Sequence, residues 1–584
     1  MLKFSDYLSN RPDLPYTNFA QMIEITSRDY ANRDAILYRS GKQREFTRWS
    51  YARWGKECRC IARGLLSAGL SKGDRVVLWA ENRPQWMAAW MGTVIAGLCI
   101  VPVDFLGTEQ ECLNIMKITR AKAFFYSGRK KEFAASLPSH GISMLRTVCI
   151  SPDSEDDPSD KETEYARFVE EAGSSSTSLP PIDSILPDEP ASIVFTSGTT
   201  GYAKGVTLSH KNIITNTSAA IRMLNPMEDD VFIDVLPLHH TYPTTCSFMA
   251  PLSIGIPTVI AEKIVGKVVI DDIRDGGVTF LIAVPLLYDK VMAAIDAGYQ
   301  KLSPIIRGPL NLLRKKALKE AKKGNPNFGR KALKLVRKKA NLLSLKIMVA
   351  GGGALSVKTS DFFDSLGFNI VQGYGMSENS PLITVNTPHH KRNESVGLPV
   401  SYTEVKIVDP TPEGIGEIAC KSPSIMLGYF ENEEATKEVI TQDGWLLTGD
   451  LGFVDEDGFV HIKGRKKNLI VGAGGKNIYP EEVEAYFAGS RAILEVLVVG
   501  RRNPEGEIIF AVMVPNYELI KEDFPGKEND EAFIHDLMKK EVDKANRLLP
   551  VFKKIGGFTV RKEQFEKNAQ QKIRRFMYKE YENP

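Results

Sequence analysis

Short apolar runs alternate with helical patterns along most of this chain, and that alternation constrains the fold more than any other feature. The runs are Arg75 to Trp79, Ala123 to Tyr126, Thr147 to Ser151, Ala191 to Phe195, Phe280 to Val284 and Lys346 to Ala350. The pattern predicts α/β layers in which sheets are covered by helices. Two longer uncharged stretches imitate membrane spans. Trp86 to Val103 contains Gly92, Gly97 and Pro102 and reads as a buried helix followed by a strand. Val235 to Ala261 carries Pro237, Pro243, Pro251 and Pro257, which would break a spanning helix repeatedly.

Residues 151–190 break the rhythm, with twelve acids against Lys161 and Arg167, and read as a solvated surface excursion. A second boundary falls near Gly464 to Lys467. Beyond it, a helix from Pro480 to Phe487, strands at Val496 to Gly500 and Ile508 to Val514, and a helix from Ala532 to Leu548 make a compact α+β unit. The expected organisation is a large N-terminal body over 1–465 and a small C-terminal domain over 466–584. Seven dispersed cysteines without a metal-type pairing, and an N-terminus lacking a secretory apolar core, predict reduced thiols and a cytoplasmic location.

Chemistry concentrates in SIVFTSGTTGYAKGVTLSH, Ser192 to His210. An apolar strand enters a loop of hydroxyls and glycines before Lys204, a composition suited to wrapping polyphosphate with backbone N–H groups, hydroxyls and one ammonium. Gly198 and Gly201 are three apart and Lys204 does not directly follow the second, so this is not a Walker loop.

TSGTTG followed by KG resembles the phosphate loop of the adenylate-forming superfamily, which includes acyl-CoA synthetases, peptide-synthetase adenylation domains and luciferases. The resemblance continues in order through Pro237-Leu-His-His240, Gly351-Gly-Gly-Ala-Leu355, Gln372-Gly-Tyr-Gly-Met-Ser-Glu378, Gly444-Trp-Leu-Leu-Thr-Gly-Asp450, Gly464-Arg465 and Gly475-Lys-Asn-Ile-Tyr-Pro-Glu481. It implies the adenylate-forming fold and a two-step reaction. ATP activates a carboxylate as acyl-AMP with release of pyrophosphate, and a thiol then takes the acyl group.

Residue by residue, the resemblance implies that Ser197, Gly198, Thr199, Thr200, Gly201 and Lys204 hold the β- and γ-phosphates. Thr196 and Glu378 would hold Mg²⁺, which favours a few oxygen ligands beside phosphate and water. Gly353, Ala354, Gln372, Gly373, Tyr374, Gly375, Met376 and Ser377 would surround the nucleotide, with Tyr374 stacked near adenine. Asp450 and Arg465 would support the ribose, Lys572 the α-phosphate and acyl oxygen, and His240 the acyl channel. The C-terminal domain would rotate about Lys467, withdrawing Lys572 and bringing Gly475 to line a path for the thiol of CoA.

Departures from the pattern are small. Ala203 replaces the usual Pro, Ser377 the usual Thr, and Gln571 the Gly that commonly precedes the lysine. Some long-chain members also lack that Gly and carry an insertion before the GGGAL turn, as this chain does over about 301–343. The resemblance therefore implies a long-chain fatty acid–CoA ligase. The alternative is an acyl-carrier-protein ligase or a free-standing adenylation enzyme using a carrier thiol.

The insertion explains the charge. Lys plus Arg number 75 and Asp plus Glu 72, a net +3, yet Arg307 to Lys339 holds thirteen basic residues and one acid, leaving the remainder at −9. Leu310 to Lys323 and Arg330 to Leu343 place aliphatic residues at helical spacing among cations, separated by GNPNFG. Basic amphipathic helices suit an anionic membrane surface at the inner face of a bilayer, or an acidic acyl-carrier protein, and the plainer alternative is a solvated helical face. Nucleic acid is not expected, because no recognition module surrounds the segment.

Overall fold

The structure is a computed structural model that describes residues 7–39, 45–151, 164–196, 204–261, 266–472, 476–487, 490–503, 506–567 and 573–582. It falls into two compact units, residues 1–404 with 420–446 and 457–459, and residues 405–419 with 447–456 and 460–584. This division does not coincide with the expected boundary at Arg465, because strands from 405–419 and 447–456 join one sheet with Val460–Arg465.

The first unit is built on two large sheets. One has nine strands in the order Leu398–Pro399, Leu382–Val385, Asn369–Gly375, Ile347–Ala350, Phe280–Ala283, Phe232–Asp234, Thr258–Ile260, Asp34–Tyr38 and Thr47–Ser50. Pairing is parallel from Asn369–Gly375 through Asp34–Tyr38 and antiparallel at both edges. The other has seven strands in the order Gly428–Tyr429, Lys204–Ser209, Pro190–Thr196, Cys99–Pro102, Arg75–Trp79, Ala123–Tyr126 and Arg146–Cys149. Their apolar runs are buried on both faces, as continuous hydrophobic parallel strands require.

The stretch from Trp86 folds as expected, with helix Pro84–Ile95 wholly buried and followed by strand Cys99–Pro102. Among the described residues no helix is long and apolar enough to cross a membrane. The acidic region differs from expectation over 164–173. Helix Glu164–Gly173 buries Tyr165, Phe168 and Ala172, and Phe168 packs so tightly on helix Tyr51–Ser67 that a Cβ at Gly64 would approach it to 2.4 Å. The acids there sit on one face of an amphipathic helix whose other face is core.

The second unit contains a four-stranded sheet, Glu404–Val408, Gly416–Lys421, Leu446–Val454 and Val460–Arg465. A three-stranded sheet of Ile493–Asn503, Gly506–Pro515 and Gly557–Val560 follows. Helix Glu531–Leu548 buries Ile534, Met538, Val542 and Ala545, in a core that also takes Val498, Ala511 and Met513 from that sheet.

Candidate active site

In the nine-stranded sheet the parallel strands Phe232–Asp234, Phe280–Ala283, Ile347–Ala350 and Asn369–Gly375 end on one edge. The loops leaving that edge carry Pro237 to His240, Gly351 to Leu355 and Gly375 to Glu378. Ligands of open α/β sheets bind beyond the carboxyl ends of the strands, so three sequence motifs converge where topology favours a site. In the seven-stranded sheet, Pro190–Thr196 and Lys204–Ser209 form an antiparallel hairpin that sets Thr196 opposite Lys204. Ser197, Gly198, Thr199, Thr200 and Gly201 lie outside the described residues, as do Gly475 and Lys572.

One tyrosine ties these elements together. Strand Gly428–Tyr429 pairs with Lys204–Ser209, opposing Tyr429 to Val206. The Tyr429 hydroxyl donates to Glu378 Oε1 at 2.8 Å, and its ring lies 4.9 Å from Lys204 Nζ. Burial, reinforced by the neighbouring Glu378 charge, raises the Tyr429 pKa and keeps its proton on the donor oxygen. Lys204 Nζ is also 4.0 Å from Glu438. A cation and a carboxylate are thus held on two sides of one aromatic ring.

The turn that bears Glu378 is fixed from several directions. Ser209 and Asn212 form a reciprocal capping box that starts helix His210–Leu224, and Asn216 on that helix donates to the carbonyls of Asn379 at 3.0 Å and Leu382 at 2.9 Å. The Glu378 carbonyl accepts the Met426 N–H at 2.8 Å. Gly375 admits no side chain, since a Cβ would sit 2.0 Å from the Pro381 carbonyl oxygen. Gln372 and Gly373 are buried in the strand, while Tyr374, Met376 and Ser377 are half-buried and Gly375 exposed. Gly353 is half-buried and Ala354 exposed, and a Cβ at Gly351 would meet the Tyr242 ring at 2.7 Å.

His240 is joined to this group through its neighbour, for Thr241 Oγ1 donates to Ser377 Oγ at 3.3 Å. Burial holds the His240 imidazole near pKa 3, with His239 adding to the shift, so the ring is neutral at physiological pH. Among the described residues its buried Nε2 has no hydrogen-bond partner. Asn82 clamps the loop before it, donating to Asp234 Oδ2 at 2.7 Å and the Leu236 carbonyl at 2.6 Å while accepting the Leu238 N–H at 2.9 Å. Sequence reasoning missed Asn82 and Tyr429. Neither belongs to a spaced motif, and each reaches its partner only through sheet pairing or a loop contact distant in sequence.

In the second unit, Asp450 and Arg465 face each other across Leu446–Val454 and Val460–Arg465, with Arg465 Nε 2.7 Å from Asp450 Oδ1. Arg465 also donates to the Thr448 carbonyl at 3.3 Å. Asp450 is buried and therefore suits a carboxylate held for specific hydrogen bonds. Burial, with Arg465 and Arg575 adding, lowers the Lys467 pKa.

An oxygen-only pair, the Thr196 hydroxyl and the Glu378 carboxylate, is the donor chemistry that magnesium takes. Turn Ser377–Asn379 packs against strand Lys204–Ser209, whose first residue pairs with Thr196.

Solved structures with this fold are adenylate-forming enzymes. ATP-bound MatB from Rhodopseudomonas palustris superposes with a TM-score of 0.75 at 23% identity, covering 97% of this chain and 99% of that one. O-succinylbenzoate coenzyme A synthetase MenE from Bacillus subtilis, in complex with ATP and magnesium, gives 0.71 at 22% identity over 95% of this chain and 98% of that one. The model of the AMP-binding enzyme family matches residues 23–430, and the chain belongs to that family. Among its relatives, the long-chain-fatty-acid–CoA ligase FadD15 of Mycobacterium bovis is 28% identical over 84% of this chain and 81% of its own length. The mitochondrial medium-chain acyl-CoA ligase ACSF2 of Danio rerio is 28% identical over 84% and 78%.

Proposed function

We propose that this protein is an AMP-forming acid–CoA ligase whose acid is a long-chain fatty acid. The observation that supports the reading is the arrangement about Tyr429, where the Lys204 ammonium and the Glu378 carboxylate come from separate elements to one residue and would serve phosphate and metal. In the first step a fatty-acid carboxylate oxygen attacks the α-phosphorus of ATP, the bond to the bridging oxygen breaks, and pyrophosphate leaves. Two anions must be held together, so positioning and neutralisation do most of the work.

Ser197 to Gly201 and Lys204 would hold the β- and γ-phosphates, and Lys572 the α-phosphate as charge develops there. Magnesium held by Thr196 and Glu378 would neutralise charge on the phosphates. Gly353, Ala354 and the Gln372 to Ser377 strand would cradle adenosine beside Tyr374, with Asp450 and Arg465 on the ribose. His240, neutral and with a free buried nitrogen, suits the mouth of an apolar acyl channel, where a charged imidazolium would be costly. In the second step the thiol of CoA adds to the acyl carbonyl and AMP leaves. A turn about Lys467 would exchange Lys572 for the Gly475 loop between steps.

The long-chain assignment is supported by the insertion before the GGGAL turn and by the names of relatives such as FadD15. ATP–pyrophosphate exchange across acids from butyrate to arachidate tests it. Exchange rising with chain length supports the assignment; exchange confined to short or aromatic acids overturns the substrate but keeps the ligase. Thioester formation with CoA should far exceed that with a phosphopantetheinylated carrier protein, and the reverse would favour the carrier ligase.

A further inference from the structure

The basic insertion folds against the nine-stranded sheet's helices, and its two faces behave differently. Helix Pro304–Ala321 buries Ala317 and Ala321, and its Arg314 guanidinium lies 4.9 Å from the rings of both Tyr299 and Phe362 while donating to Ser365 Oγ at 3.1 Å. Where one long second helix was expected, the chain forms two short ones, Asn327–Ala332 and Lys334–Lys339. Gly329 packs on Gly367 too closely for a side chain there, a Cβ reaching 2.8 Å from the Gly367 Cα. Arg337, 1% exposed, donates to the carbonyls of Gly367, Leu343 and Leu345 and lies over the Phe368 ring. Arg314 and Arg337 therefore anchor the insertion, and Lys322, 3.0 Å from Asp361 Oδ2, ties it to the body as well.

The outward face has a different composition. Ile305 is 86% exposed, Leu312 70% and Leu335 77%, and Ile306 and Leu313 are exposed beside them. Residues 305, 312, 316 and 319 fall on one stripe of the helix, so an apolar N-terminal half continues into a cationic half carrying Lys315, Lys316 and Lys319. Leu335 projects from among exposed Lys331, Lys334, Lys338 and Lys339 on the short helices.

We propose that this face docks the protein on an anionic lipid surface, with Ile305, Ile306, Leu312 and Leu313 entering the interface and the adjoining lysines meeting lipid phosphates. Single large aliphatic side chains standing among cations match the boundary between headgroups and acyl chains, where each group finds its own medium. Charge complementarity also fixes the orientation. Outside Arg307 to Lys339 the chain carries a net −9, so on net charge an anionic surface repels the remainder while attracting this segment. The proposal is independent of which acid the enzyme activates.

Sedimentation of the full chain with phosphatidylcholine vesicles, with and without phosphatidylglycerol, tests it. Binding is expected only to the anionic vesicles and should weaken steeply as salt rises to about 0.15 M. Lys315→Gln/Lys316→Gln/Lys319→Gln should weaken it at least tenfold, since each cation beside an anionic leaflet contributes roughly fivefold. Ile305→Ser/Leu312→Ser should weaken it at least tenfold while leaving the salt dependence unchanged. Both variants should keep wild-type melting temperature and ATP–pyrophosphate exchange on a water-soluble acid. Wild-type binding by either variant, or no binding of the parent protein to anionic vesicles, overturns the proposal. So does a loss confined to reaction with an acyl-carrier protein, which would assign the face to a protein partner.

Discussion

The site about Tyr429 and the insertion at Arg307 to Lys339 both depend on cations, but they hold them in opposite ways. In the site each ion is few and placed: Lys204 sits 4.9 Å from an aromatic ring and Glu378 accepts a 2.8 Å hydrogen bond from the same residue. In the insertion most lysines stand exposed; Arg314 and Arg337 are tied down by rings, a hydroxyl and carbonyls, and Lys322 pairs with Asp361 at 3.0 Å. The contrast separates charges held singly by specific contacts from charges grouped on an exposed face. It also shows that two arginines in the basic segment belong to neither class, because their planar guanidinium groups serve as packing and hydrogen-bonding pieces.

The largest effects should come from the placed ions. Lys204→Met and Glu378→Gln should each lower kcat/KM for ATP–pyrophosphate exchange by about a hundredfold to a thousandfold, as loss of a preorganised charge contact does. Exchange kinetics check this, and retention within tenfold would remove the residue from the site. Arg337→Leu should destabilise the fold by roughly 3 kcal/mol, because the buried carbonyls of Gly367 and Leu345 lose their donor. Thermal or urea unfolding measures it; a neutral result would return Arg337 to the surface set.

A conservative change sharpens the role of Tyr429. Tyr429→Phe keeps the ring near Lys204 but removes the hydroxyl from Glu378, so the magnesium concentration for half-maximal exchange should rise about tenfold with little change in KM for ATP. Tyr429→Leu should raise both. Equal effects of the two variants would reduce Tyr429 to a packing residue.

The smallest effect concerns acid. His210, at the start of helix His210–Leu224, accepts the Phe19 N–H at Nδ1, 3.3 Å, and burial, with Lys72 adding, holds its pKa near 3 against an ordinary 6.5. Between those values the unfolded chain binds a proton that the folded chain does not, so this residue makes stability fall as pH drops below 6.5, by about 1.4 kcal/mol per pH unit. His210→Gln keeps an acceptor and should flatten the unfolding free energy against pH by about that slope.

The candidate residues lie in local motifs, which is why the sequence alone can propose them. The strands at 75–79 and 123–126 match the apolar runs residue for residue, and Thr196, Lys204 and Glu378 stand where loops leave strands. Tyr429 and Asn82 were not legible, since their roles arise from pairing between Gly428–Tyr429 and Lys204–Ser209 and from a loop contact across more than 150 residues. The burial of Arg337 was hidden for a similar reason. A cation in a basic run shows no sequence sign that neighbouring carbonyls will enclose it.

The most direct test incubates the protein with ATP, magnesium, CoA and an equimolar mixture of fatty acids from butyrate to arachidate and reads the products by mass. The expected products are AMP, pyrophosphate and acyl-CoA enriched in the long-chain species. ADP as the nucleotide product, or ATP consumption without any acyl-CoA, would contradict it.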